Sequence, residues 1–211
     1  MPSLNNHIKA VVFDLGNVLI DFDHMIAARG VLRFTDKNPE EIFSLFFDSK
    51  ITGLFEEGKI APLDFFSAVK EALKLKLTFE EFLPIWNEIF FLTPKNFEVY
   101  NLILRLKKRY ITCLLSNINI LHFEHLKKIF ASLFDAFNIT FLSYELGFRK
   151  PHHLIYKKIL NLLSLKPEEI FYTDDRLELI EVAKKQGINS FHFTGTEKLK
   201  SDLLNIGVNI S

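Results

Sequence analysis

The sequence predicts an α/β protein, a Rossmann-like, doubly wound parallel sheet carrying an inserted α-helical domain. Three observations predict it. Five short apolar runs, rich in β-branched and aromatic residues, each end near a polar or small residue, as strands covered on both faces do. Helical patterns separate the last four, and strand, helix, strand in repetition marks a doubly wound sheet. Between the first and second runs lie roughly 95 residues, far more than the single crossover helix that a parallel pair requires.

In chain order, the first strand is "IKAVVFD" at 8–14. The long interval after it reads as an insert over 22–93, and its patterns are helical. "PEEIFSLFFDS" opens with a proline and acids suited to a helix start, while "APLDFFSAVKEALKL" and "TFEEFLPIWNEIFF" repeat their apolar residues at helical spacing. "FEEGKIAP" at 55–62 reads as a loop with a few charges. "TPKN" at 93–96 begins a further proline-led helix and returns the chain to the sheet. The core is thus expected in two pieces, 1–21 and 94–211. The second strand is "YITCLLS" at 110–116, the third "FNITF" at 137–141, the fourth "EIFYTD" at 169–174 and the fifth "NSFHFTG" at 189–195. The helices between them are "ILHFEHLKKIF" at 120–130, "PHHLIYKKILNLL" at 151–163 and "RLELIEVAKKQG" at 176–187, the last ending on a glycine suited to a helix C-terminus.

The 211 residues are 48% apolar, enough for a full core, and 26 basic residues balance 26 acidic ones. That balance offers no general attraction to nucleic acid or to an anionic membrane, so any anionic ligand must be small and locally held. No stretch approaches the roughly 18 apolar residues of a spanning helix, and "MPSLNNHIKA" lacks a basic segment leading into an apolar one, so a cytoplasmic location is expected. The single cysteine, Cys113, sits in an apolar run and reads as a small core residue. Among 23 phenylalanines, neighbours such as Phe46 and Phe47, Phe65 and Phe66, and Phe90 and Phe91 widen the apolar face of a helix, as packing on more than one side requires.

In a doubly wound sheet, ligands bind beyond the carboxyl ends of the strands, where strand order reverses. Those ends supply Asp14, then Ser116 and Asn117, then Asp174 and Asp175, and Lys150 precedes Pro151 at the start of the helix after the third strand. Each alone has an ordinary role as a cap, turn or surface residue. Gathered on one edge, they have a joint chemistry. Clustered carboxylates repel one another and take a hard divalent cation such as Mg²⁺ to hold them together. A hydroxyl, an amide and an ammonium beside them suit a ligand rich in anionic oxygen, and phosphate fits best.

The chain resembles the haloacid dehalogenase superfamily over nearly its whole length, through "FDLGNV" at 13–18, "LLSN" at 114–117, "GFRKP" at 147–151 and "FYTDD" at 171–175. The insert resembles the helical cap of one subclass. The Gly-Asn after the first aspartate is similar to the branch containing glucose-1-phosphate phosphatases and, more distantly, the amino-terminal phosphatase of soluble epoxide hydrolase. The resemblance implies an Mg²⁺-dependent phosphatase acting on a small phosphorylated metabolite. In it Asp14 is the nucleophile, Ser116 and Asn117 hold the phosphoryl group, and Lys150 neutralises charge. Asp14, the carbonyl of Gly16 and Asp175 would ligate the metal, with Asp174 supporting it directly or through water. Position 16 departs from the commoner pattern, in which an aspartate there protonates the leaving oxygen. Asp21, Asp23 and His24, where the chain enters the insert, are candidates to replace it. Two rival readings accompany the resemblance: a non-catalytic phosphate- or metal-binding regulatory protein, for which Gly16 argues, and a haloacid dehalogenase, against which the paired Asp174 and Asp175 argue.

Overall fold

The computed structural model describes residues 7–211; residues 1–6, part of the core segment expected from position 1, lie outside the described residues. Seven strands follow one another as β1 (Ala10–Phe13), β2 (Asp21–Phe22), β3 (Phe90–Phe91), β4 (Ile111–Ser116), β5 (Ile139–Leu142), β6 (Ile170–Asp174) and β7 (Asn189–His192). Five of them form one parallel sheet in the order β5-β4-β1-β6-β7. All four residues of β1 are buried, because helices cover both faces of the central strand. Val11 and Phe13 pack into one layer with Leu102, Ile103, Leu199 and Leu203. Ala10 and Val12 pack into the other with Ile155, Ile159 and Ile180. Cys113 belongs to that second layer and is buried, the core role read for it in the sequence.

Between β2 and β3 lie five helices: α1 (His24–Gly30), α2 (Pro39–Phe43), α3 (Lys50–Glu56), α4 (Pro62–Leu73) and α5 (Phe79–Asn87). Local chemistry starts them as expected: Asn38 and Thr78 form capping boxes with Glu41 and Glu81, and Pro39 and Pro62 open their helices. After α2 the chain continues as a π-helical stretch over Ser44–Asp48. This bundle has its own apolar centre, in which Phe46, Phe55, Phe65, Phe82 and Trp86 are fully buried. Phe65 and Phe66 are both buried, the widened face that paired aromatics suggest.

The remaining helices are α6 (Pro94–Leu106), α7 (Ile120–Ile129), α8 (Ala131–Phe134), α9 (Ser143–Leu146), α10 (His153–Leu163), α11 (Leu177–Lys185) and α12 (Thr196–Asn205). Among the described residues no helix is long and apolar enough to cross a membrane.

Several boundaries differ from those read in the sequence; the loop expected over 55–62, for one, begins inside α3, which runs to Glu56. The run ending in "EIFF" is helical only to Asn87; Phe90 and Phe91 instead form β3, antiparallel to β2, and Phe91 is exposed. This pairing ties the two ends of the insert together, which outweighs local helical spacing. The helix expected from Pro151 begins at His153, and Lys150 and Pro151 form a turn before it. Strand β7 ends at His192, and α12 follows where no helix was read.

Candidate active site

The carboxyl ends of β1, β4 and β6 open into a cleft of about 340 Å³, with the helical insert as its opposite wall. Asp14, Gly16, Ser116, Asn117, Lys150, Asp174 and Asp175, all the site residues read in the sequence, line this one cleft. They come together because parallel neighbours in register end at the same edge: Phe13 faces Leu114 on one side and Thr173 on the other.

Lys150 is the hub. Its buried Nζ donates to Asp14 Oδ1 at 2.6 Å, Asp174 Oδ2 at 2.7 Å and the Leu115 carbonyl at 3.0 Å, which satisfies its three N–H groups. Burial alone would push this ammonium down, but Asp14 and Asp174 outweigh it and hold Lys150 above the ordinary lysine range. Asp174 is committed on both oxygens, accepting Lys150 Nζ and the Tyr172 hydroxyl on Oδ2 and the Arg176 amide on Oδ1. Burial pushes its carboxyl up, yet Lys150 and the hydrogen bonds prevail and lower it. Its oxygens therefore serve mainly to hold Lys150 and the β6 end in place.

Asp14 and Asp175 are less satisfied. Burial raises the Asp14 carboxyl to about 7; Lys150 pulls it back, while Asp174 and Asp175 add repulsion. Asp175 is also raised by burial, against the hydrogen bond it accepts from Asn17 Nδ2 at 2.8 Å. One carboxylate oxygen from each of Asp14, Asp174 and Asp175 lies within 4.8 Å of the others. A hard divalent cation would remove the mutual repulsion that this donor set carries, so the residues present fit such an ion.

Two neighbours differ in role. The Ser116 hydroxyl is buried at the cleft and accepts or donates no hydrogen bond among the described residues, which leaves it available to a ligand. The Asn117 side chain clamps the Lys150 backbone: its Nδ2 donates to the Lys150 carbonyl at 2.8 Å, using one of its two N–H groups, and its Oδ1 accepts from the Lys150 N–H at 2.7 Å.

Sequence reasoning missed several groups. Asn17 has φ of 55°, a left-handed conformation that asparagine tolerates better than most residues, and from it the amide reaches Asp175. Lys95 bonds the Asn17 carbonyl at 2.7 Å and Asp21 at 2.6 Å. Arg149 pairs at 2.8 Å with Glu56 of α3, joining insert to core across the cleft, and burial pushes Glu56 up despite that partner. His122 of α7 stacks on Trp86 and bonds its carbonyl at 3.0 Å. Asn17 and Arg149 each adjoin a recognised site residue, which was the available signal; the ties to α3 and α5 had none.

Of the three candidates for the role absent at Gly16, the structure separates one. Asp21 is held by Lys95, Thr93 and Asn96, which keep it below the usual carboxylate range. Asp23 caps α1 by accepting from the Met25 amide and is exposed. Neither lines the cleft; His24 does.

Comparison with known proteins agrees with this geometry. A profile of the haloacid dehalogenase-like hydrolases matches residues 8–187. A D-ribitol-5-phosphate phosphatase of Bacteroides thetaiotaomicron is 26% identical over 189 residues, 87% of this chain and 91% of its own. A sesquiterpene phosphatase of Aspergillus oryzae is 24% identical over 187 residues, 88% of this chain and 90% of its own. Among solved structures, a haloacid dehalogenase-family enzyme of Bacteroides thetaiotaomicron, in complex with magnesium and inorganic phosphate, superposes with a TM-score of 0.79 at 28% identity, covering 89% of this chain and 95% of that one.

Proposed function

The chain belongs to the haloacid dehalogenase-like hydrolases, and from that premise we propose that it is an Mg²⁺-dependent phosphatase of small phosphomonoesters working through an aspartyl-phosphate on Asp14. The observation that carries this reading is the buried Lys150 ammonium fixed between Asp14 and Asp174, with Asp175 converging on the same point. A carboxylate held this way is an aimed nucleophile beside a fixed positive charge.

An Asp14 carboxylate oxygen forms a bond to phosphorus as the bond from phosphorus to the ester oxygen breaks. Water then forms a bond to phosphorus as the Asp14 bond breaks, releasing inorganic phosphate and restoring the carboxylate. Lys150 balances the charge of Asp14 and of the phosphoryl oxygens, and the Ser116 hydroxyl donates to one of them. Asn117 acts through its grip on the Lys150 backbone. Asp14, Asp175 and the carbonyl of Gly16 would hold Mg²⁺, with Asp174 behind them, and the ion when bound neutralises the clustered charge and orients the phosphoryl group. Residues 22–93 act as a cap over the core formed by 1–21 and 94–211, and their apolar wall excludes water from the cleft.

The cleft volume suits a small ester, and the half-buried Asn17, Glu56 and Arg149 beside the aromatic rings suit a hydroxylated one, a polyol or sugar phosphate like that named for the Bacteroides relative. The test is inorganic phosphate release from ribitol, sugar and sesquiterpenyl phosphates with Mg²⁺ or chelator, with Asp14→Asn as the blank. Release that needs Mg²⁺ and vanishes in the blank supports the reading. Tight Mg²⁺ binding with no release from any ester would support the regulatory alternative for which Gly16 argues.

A further inference from the structure

Ester cleavage needs a proton for the leaving oxygen and, in the second step, a base for the attacking water. Position 16 has no side chain to supply either, and the space is crowded: a Cβ there would lie 2.6 Å from Cε1 of Phe22, which would have to move. The same Phe22 ring packs against His24, centroids 4.7 Å apart, and His24 also stacks on Phe47, 3.7 Å away and 8° from parallel. The ring that crowds position 16 therefore also packs on an imidazole in the wall of the same cleft.

Three other proton carriers of the cleft are committed to partners. His122 uses both ring nitrogens, Nδ1 with the Asn119 amide at 3.1 Å and Nε2 with the Trp86 carbonyl at 3.0 Å. Glu56 is paired with Arg149, and Asp175 with Asn17. Asp48 is exposed to solvent. His24 is half-buried, and among the described residues neither of its ring nitrogens has a hydrogen-bond partner.

We propose that His24 is the acid–base residue of this site: its imidazolium gives a proton to the leaving oxygen as the ester bond breaks, and the neutral ring then takes one from the attacking water. The inference rests on the phosphatase reading above. Over one turnover the ring returns to its starting state, and the products are an alcohol and inorganic phosphate. Burial, opposed by the neighbouring Asp23, lowers His24 to about 4, so the free site holds it neutral; the nearby His122 is likewise neutral. The proton arrives with the substrate. A phosphate monoester titrates near about pH 6, and a monoanion beside neutral imidazole carries the same protons as a dianion beside imidazolium.

The experiment compares an alkyl phosphate, whose leaving oxygen needs a proton, with p-nitrophenyl phosphate, whose leaving group departs readily as an anion. His24→Asn is expected to lower the ratio of alkyl to aryl kcat/KM, which reports the leaving-group step alone and not the shared hydrolysis, by about 10² to 10⁴, the usual worth of general acid catalysis. A structural role would lower both rates together and leave the ratio unchanged, which would overturn the proposal, as would Asp48→Asn moving the ratio in its place. Wild-type protein provides a second measurement that does not depend on how the variants fold. Across substituted phenyl phosphates, a shallow dependence of kcat/KM on leaving-group pKa supports an acid in the site, and a steep one overturns it. Aryl turnover by the wild type with a steep dependence would leave the phosphatase reading standing without His24; no turnover of any ester would remove both.

Discussion

The two walls of the cleft are held by different forces. On the core side each charged group is fixed by others: Lys150 by three acceptors, its backbone by Asn117, Asp174 by Lys150, Tyr172 and Arg176, and Asp175 by Asn17. On the insert side, rings pack on rings, from Phe22 through His24 and Phe47 to Trp86, which stacks on His122 of the core, and polar ties to the core are few, chiefly Arg149 with Glu56, the Ser143 hydroxyl with the Glu56 carbonyl and His122 with the Trp86 carbonyl. Hydrogen bonds between charged groups are directional and resist small displacements, whereas ring contacts tolerate sliding. Under the proposed mechanism, the contrast would place the reacting charges on a rigid floor and leave selection of the ester to a wall that can adjust.

The largest effect that would break this comparison is chemical. Asp14→Asn should reduce phosphate release by at least about 10⁴-fold, as loss of a nucleophile does, with the fold retained. Residual turnover within about tenfold of wild type would put the chemistry elsewhere in the cleft. Next comes the rigidity of the floor. Lys150→Met leaves Asp14 and Asp174 facing one another in a buried site without their cation, and removing one partner of a buried pair destabilises by about 3–5 kcal/mol. Denaturant unfolding measures this, and Mg²⁺ should restore more stability to the variant than to wild type. A loss below about 1 kcal/mol would show that the charges are not the floor's main fastening.

The seam between the walls responds to pH. Asn119 donates to His122 Nδ1, which places the proton on Nε2, donated to the Trp86 carbonyl, and burial depresses the ring to about 3. Above pH 6.5 the ring is neutral both folded and unfolded. Between 6.5 and 3 only the unfolded chain takes up the proton, so stability present at neutral pH falls as acid is added, by about 2 kcal/mol at pH 5 from this residue. The difference in unfolding free energy between pH 7.5 and pH 5 should be smaller in His122→Gln by that amount. An unchanged difference would mean that the seam does not depend on a neutral ring.

What was legible in the sequence divides along the same line. Strands such as β1 and β6 show as apolar runs because both faces are buried, and Asp14, Ser116 and Asp175 show because they follow those runs at one sheet edge. Residues whose position depends on a distant partner did not show. Phe90 and Phe91 are as apolar as any helical pair, and only Asp21 and Phe22 across the hinge make them a strand. In α12 few positions are apolar and buried, chiefly Leu199 and Leu203, so its periodicity is faint. The amide of Asn117 shows its real partner only once Lys150 is brought against it.

The smallest effect separates a hydrogen bond from a backbone shape at Asn17. Glycine adopts φ of 55° without strain, so Asn17→Gly removes the amide that donates to Asp175 with no backbone penalty, while Asn17→Ala keeps a Cβ in the left-handed region without the polar side chain that lets asparagine tolerate it, at about 1 kcal/mol. If the floor is set by its hydrogen bonds, both variants should bind Mg²⁺ about tenfold more weakly by titration calorimetry, the usual result of losing a group that orients a ligand. Only the alanine variant should also lose stability. Wild-type affinity in Asn17→Gly would mean that Asp175 is placed by the end of β6 alone, and the rigidity attributed to the core wall would then belong to its backbone instead of to its side chains.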